Sequence, residues 1–218
     1  LALAIFDLDN TLLAGDSDYL WGVYLAEQGA VDRKEHEREN ERFFREYKEG
    51  HLDIYEFLEF SLRPLRDNRR EDLVRWRTDF VHHKIDPIIL PGARALVQRH
   101  RDAGDTLVIV TATNAFVTAP IAQRFGIPHL IATIPKEVDG RFTGEVSGLP
   151  SFQAGKVQRL LAWVQENGEN LQGSTFYSDS HNDIPLLERV DNPVAVDPDE
   201  QLARHAESLG WPVISLRS

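Results

Sequence analysis

The sequence contains no cysteine, which rules out disulfide bonds and zinc–thiolate centres. Methionine is absent as well. There is no surplus of positive charge: 35 acidic side chains face 24 basic ones, a formal net charge of -11. Non-specific binding to nucleic acid or anionic membrane needs a basic face, so neither is expected as a partner. No apolar run approaches membrane-spanning length. The apolar residues Leu1 to Phe6 lead straight into Asp7 with no basic flank, so no secretory leader is expected and the cytoplasm is the expected compartment. Repeats and low-complexity segments are also missing. An anionic ligand would have to be met by local positive charge, supplied by a metal ion, by Lys156 or by helix N-termini.

What is present is an ordinary globular composition, 42% hydrophobic and 27% charged over 218 residues, enough for a core and an insertion. Leu3 to Phe6 and Thr106 to Val110 read as buried strands, and His129 to Ile134, Ser174 to Tyr177 and Pro193 to Val196 as further short ones. Helical patterns over Gly92 to Ala103, Ala115 to Arg124, Phe152 to Glu166 and Glu200 to Ser208 alternate with them. That alternation predicts βαβ units, an α/β fold with a parallel sheet. Asp139-Gly140, flanked by strand-forming residues, predicts a hairpin within Lys136 to Gly148. The stretch from Asp18 to about Lys84 breaks the alternation. Its apolar residues fall at helical spacing around Tyr19, Phe43, Leu58 and Trp76, predicting four amphipathic helices inserted as a cap over the site. The expected division is a core of residues 1–15 and 86–218 and an all-helical cap domain of residues 16–85.

Two acidic groups stand out. Asp7-Leu8-Asp9 ends the first strand, and Asp179-Ser180-His181-Asn182-Asp183 ends a later one. Open α/β sheets place ligands at that edge. Residues i and i+2 of an extended chain point the same way, so Asp7 and Asp9 can address one bound group. One carboxylate could attack phosphorus while the other handles protons. Carboxylates crowded together repel unless they share a proton or cation, and all-oxygen donors favour a hard ion such as Mg²⁺.

Taken together, these residues resemble the haloacid dehalogenase phosphatase superfamily, in its phosphoserine phosphatase-like branch. The first motif, DxDx(T/S), is matched by Asp7, Asp9 and Thr11. The Thr or Ser that ends the second core strand is matched by Thr111, the Lys near a helix start by Lys156, and the acidic pair after a later strand by Asp179 and Asp183. The resemblance implies a Rossmann-like core with a helical cap between the first and second motifs. It implies Asp7 as nucleophile, forming an aspartyl-phosphate, and Asp9 as the acid that protonates the leaving oxygen and then activates water. Mg²⁺ would be bound through Asp7, Asp9 (by its backbone carbonyl), Asp179 and Asp183. The phosphoryl group would be bound by Thr111 with the adjoining Ala112, Lys156 and Asn182.

For phosphoserine, that branch uses a Glu at the cap entrance and an Arg on a cap helix. Here the corresponding positions fall at Asp16, flanked by Asp18, and at Glu59. Acid at both places suits a cationic amine and opposes a carboxylate, so the expected substrate is a small amino-alcohol phosphate, histidinol phosphate or phosphoserine, acted on by a monomer or homodimer. A phosphotransferase or mutase on the same chemistry is an alternative. A non-catalytic phosphate-binding module is another, disfavoured because a binder does not need the second acid. Other signals carry less. Gly155-Lys156 lacks the spacing of a P-loop, adjacent His82 and His83 would face apart on a helix, Arg63, Arg66, Arg69 and Arg70 alternate with acids, and His100-Arg101-Asp102 reads as a solvated helix end.

Overall fold

The computed structural model describes residues 2–217; Leu1 and Ser218, the outermost residues of the expected core, lie outside the described residues. The first strand, β1 (Leu3–Phe6), is buried at every position. A helical segment follows: α1 (Ser17–Glu27), α2 (Arg33–Glu49), α3 (Ile54–Asp67) and α4 (Arg70–Phe80), then a π-helical turn (Val81–Ile85). The aspartates preceding the first three helices make their caps. Asp16, Asp32 and Asp53 each accept backbone N–H groups of the first turn, which satisfies donors a helix start leaves open.

The chain then alternates. α5 (Pro91–Asp102) leads to β2 (Thr106–Asn114), α6 (Ala115–Phe125) and β3 (His129–Thr133). The antiparallel hairpin of β4 (Pro135–Val138) and β5 (Arg141–Val146) comes next, turning at Asp139 and Gly140, both at positive φ. It precedes α7 (Ala154–Glu166), β6 (Thr175–Ser178), α8 (Ile184–Leu187), β7 (Asn192–Val196), α9 (Glu200–Leu209) and β8 (Val213–Ile214).

The main sheet runs β3-β2-β1-β6-β7-β8, and all its pairings are parallel. This is the Rossmann-like α/β arrangement. From β1 the chain winds outward through β2 and β3, then returns to place β6 on the other side of β1. The crevice where the winding reverses is where such sheets bind ligands, and here it opens at the carboxyl ends of β1, β2 and β6. Two cores lie on either face. One runs from Phe6, Leu8 and Ile109 into Trp21, Leu62 and Phe80 of the helical segment; the other packs Leu3, Val108 and Phe176 against Leu160 and Leu202. Among the described residues no helix is long and apolar enough to cross a membrane.

Candidate active site

Asp7 continues β1 by one residue, its N–H donating to the carbonyl of Tyr177 on β6 at 2.9 Å. Leu8 is wholly buried, which turns the flanking aspartates to the opposite side. Asn10 then adopts a left-handed conformation (φ 57), one that Asn tolerates better than most residues. The chain folds back so that Leu12 and Leu13 donate to the Leu8 carbonyl. Thr11 is thereby placed against β6, where its Oγ1 donates to Asp179 Oδ1 (2.9 Å) and accepts from the Asp179 N–H (3.0 Å).

Asp9 is held from two directions. Its carboxylate accepts the N–H of Ser17 at 2.6 Å and Thr113 Oγ1 at 2.7 Å, with Thr111 Oγ1 at 3.5 Å. Thr111 and Thr113 share a face of β2 because they are two residues apart, and the β2–β3 register shifts between Val110 and Asn114. Thr113 was not anticipated, although the same two-residue periodicity that linked Asp7 to Asp9 would have pointed to it.

Lys156, the third residue of α7 and 3% exposed, places Nζ 3.0 Å from Asp7 Oδ1 and 2.8 and 2.9 Å from the two oxygens of Asp183. Ser178 Oγ adds a bond of 2.7 Å to Asp183. The approach depends on Gly155, where a Cβ would lie 2.2 Å from the backbone oxygen of Pro150. Gly155→Ala should therefore displace the start of α7 and lower stability by about 3 kcal/mol, the upper end of overpacking penalties. Urea unfolding measures it, and a midpoint equal to wild type would mean that this contact is not tight.

Asn182 has both polar ends occupied, Oδ1 by Gln153 Nε2 (2.9 Å) and Nδ2 by the Tyr47 carbonyl (3.1 Å), while the Tyr47 hydroxyl donates to Ser180 (3.1 Å). The residue expected on the phosphoryl group thus ties α2 to the loop after β6. Asp7, Asp9, Asp16, Thr111, Ala112 and Lys156 line one cleft, together with Asp18, Asn40 and aromatic residues of α1, α2 and α3.

Glu59 is a correction. It was expected at this cleft as the cap-helix position, but it is exposed on the outer face of α3. The residue that α3 contributes to the cleft is Phe57; two residues along a helix turn a side chain by about 200°. His100 is another: it is no solvated helix end, since its ring bridges Asp105 (2.7 Å) and the Tyr177 hydroxyl (2.8 Å).

Burial pushes the Asp7 carboxyl up to about 7, against the lowering charge of Lys156, with Asp183 and Asp9 pushing further upward. Burial and then the charge of Asp16 push Asp9 up to about 6. Asp179 is also raised by burial and by Asp7. Lys156 would be lowered by burial alone, but the charges of Asp183 and Asp7 outweigh that and raise it. One lysine thus faces a surplus of buried carboxylates. Among the described residues no three acidic or histidine side chains form a ready metal-binding group. Even so, hard oxygen donors with uncompensated negative charge have the chemistry that a divalent cation such as Mg²⁺ satisfies.

A family model described as haloacid dehalogenase-like hydrolase matches residues 4–188. The chain belongs to the haloacid dehalogenase-like hydrolases. Among relatives of this hydrolase, the histidinol-phosphatase of Neisseria meningitidis serogroup C (strain 8013) is 47% identical over 99% of both chains. A solved structure of a protein of unknown function from Bordetella pertussis Tohama I has a TM-score of 0.93 at 45% identity, covering 99% of this hydrolase and 98% of that chain. A phospho-aspartyl intermediate analogue of phosphoserine phosphatase has a TM-score of 0.72 at 19% identity, over 99% and 93% of the two chains. That likeness carries the fold alone.

Proposed function

We propose that this phosphatase hydrolyses the phosphate monoester of a small amino alcohol, histidinol phosphate foremost, with Mg²⁺ as cofactor. The observation that carries the reading is a single cleft that combines a lysine and a hydroxyl donor with a surplus of acids and aromatic rings. Lys156 supplies positive charge beside Asp7 and Thr111 a hydroxyl donor beside Asp9, while Asp16, Asp18 and aromatic rings line the same cleft. The 47% identity to a histidinol-phosphatase over nearly the whole of both chains supports the same substrate.

The Asp7 carboxylate attacks phosphorus as the ester P–O bond breaks, and the leaving oxygen takes a proton from Asp9. Deprotonated Asp9 then draws a proton from water, which attacks the aspartyl-phosphate and releases inorganic phosphate and free Asp7. A carboxyl held near 6 can give and take a proton close to neutral pH. Lys156 fixes one Asp7 oxygen and adds positive charge beside the phosphoryl oxygens. Asp7 and Asp179, with the Asp9 backbone carbonyl, would hold Mg²⁺, with Asp183 behind them. The ion's contribution is to offset charge that grows on the phosphoryl group. In this reading residues 16–85 act as a cap, with α2 anchored through Tyr47 to Ser180 and Asn182.

A panel of histidinol phosphate, phosphoserine and p-nitrophenyl phosphate, with Mg²⁺ and with EDTA, tests the reading. Hydrolysis should require Mg²⁺, and kcat/KM should favour histidinol phosphate over phosphoserine by tenfold or more, since an unpaired substrate carboxylate among acids costs about 1.5–3 kcal/mol. Preference for phosphoserine would overturn the substrate; full activity in EDTA would overturn the metal.

A further inference from the structure

The helical insertion encloses a polar void that the chemistry above does not use. Residues of α1, α2 and α3 line it, Trp21, His36, Phe60 and Ser61 among them, and it leaves about 10 Å³ for the centre of a water molecule. Trp21 Nε1, His36 Nε2 and Ser61 Oγ are buried, and among the described residues none of the three has a hydrogen-bond partner. A buried polar atom left unpaired is costly, so three of them around one void point to a guest that bonds to all three. The space is too small for a metabolite, and an indole N–H, which can only donate, is no ligand for a cation. Water fits. Burial, with the charge of Arg63, lowers His36 toward the neutral imidazole, whose Nε2 can accept when Nδ1 carries the proton. A buried water makes about three hydrogen bonds: here it accepts from Trp21, donates to His36 and exchanges either with Ser61.

The void has neighbours on two sides. Asp18 and Asn40 line it and also line the catalytic cleft. His36 and Phe60 line it and also line an outer cavity of about 200 Å³, beside Ala30, Arg63 and Pro64. Their rings stack with centroids 4.7 Å apart. A Cβ on Gly22 would lie 2.6 Å from His36 Nε2 and 3.0 Å from Asn40 Nδ2, so the missing side chain is what lets α2 seat both residues against α1. Asn40 spends Nδ2 on the Tyr19 carbonyl at 3.0 Å, which leaves its Oδ1 as an acceptor for the next water along. Polar atoms therefore follow one another from the outer cavity, through the void, to the cleft.

Hydrolysis needs a water in one particular place. When the aspartyl-phosphate breaks, the water oxygen bonds to phosphorus, the bond from phosphorus to the Asp7 oxygen breaks, and the water's proton passes to Asp9. Attacking and leaving oxygens are roughly in line, so the water arrives opposite Asp7, where the alcohol oxygen has just left. We propose that the void is a relay site for water, through which the hydrolytic water passes between α1, α2 and α3 into the cleft without the cap lifting off the sheet edge. The role rests on the phosphatase reading above; the water site itself does not.

Ser61 does not line the cleft, which makes it the position to vary. Ser61→Leu fills the void, whereas Ser61→Ala removes the hydroxyl and leaves the room. Acid quench of protein mixed with p-nitrophenyl phosphate labelled at phosphorus follows formation and decay of the aspartyl-phosphate separately. In Ser61→Leu the decay should slow about tenfold while formation stays within about twofold of wild type, and Ser61→Ala should keep both steps within about twofold. Unchanged decay in Ser61→Leu overturns the proposal. So does an equal loss in both steps, which is what a displaced helix would produce. Should Ser61→Leu fail to fold, Ser61→Val, with less added bulk, carries the same reading. A crystal structure of wild type should show a water within hydrogen-bond distance of Trp21 Nε1, His36 Nε2 and Ser61 Oγ; a dry void overturns the proposal whatever the kinetics. Wild type that hydrolyses no phosphate ester would remove the phosphatase reading and the supply role with it. Active wild type with a dry void or an unaffected decay removes this proposal alone.

Discussion

Asp7→Asn should eliminate hydrolysis of every phosphate ester, by about 10⁴-fold or more, while the protein stays folded. Both halves of this expectation come from the same geometry. Asn keeps the shape of Asp7 but offers no anionic oxygen to form an acyl-phosphate, so no later step can begin. The fold survives because Asp7 is not held by its charge alone. Burial pushes its carboxyl up to about 7, so a neutral group there removes a desolvation cost as well as an attraction. Lys156 keeps both oxygens of Asp183 at 2.8 and 2.9 Å. Steady-state assays with p-nitrophenyl phosphate and circular dichroism melting check the two halves. Residual turnover above one-hundredth of wild type would mean that Asp7 is not the attacking group.

The sheet and the acidic cluster at its edge were legible because they follow from short-range rules. Buried strands read as continuous apolar runs, and Asp7, Lys156 and Asp179 stand at strand ends or a helix start that the alternation marks out, whereas β2 runs past Thr111 to Asn114. β8 was missed because Val213–Ile214 is two residues long, too short to show a pattern, and it exists by pairing with β7. The helical side of the cleft was half legible. Asp16 stands out in sequence as an acid at the entrance of the helical insertion, but the contribution of α3 depends on helical phase, and sliding it by two residues put Glu59 where Phe57 stands. Asn40 could not be read at all. It meets α1 only because Gly22 permits the close approach, a fact of packing between helices. His100 was misread for a similar reason, since one of its partners, Tyr177, lies on a strand 77 residues away.

Lys156→Met should be the most damaging single change to stability, and it separates charge from packing. Met approximates the volume of the lysine stem, so the cavity term is small. What is lost is the one ammonium that faces Asp7 and Asp183, both at most 4% exposed. Breaking a buried ion pair from one side costs about 3–5 kcal/mol, because the partner charge is left behind. The pH dependence gives the signature. Asp7 is raised in the folded protein relative to its usual 3.8, so between those values the native state binds more protons than the unfolded one. Its contribution to stability is therefore present at low pH and declines as pH rises through that window. Removing Lys156 takes away the charge that lowers Asp7, which raises its carboxyl further and extends the decline to higher pH. Urea unfolding of metal-free protein at pH 5 and pH 8 should show the variant destabilised more at pH 8. Activity should fall about 10³-fold as well, the scale of losing a group that stabilises transition-state charge. Equal destabilisation at both pH values would mean that packing, rather than the ammonium, is what Lys156 contributes to the fold.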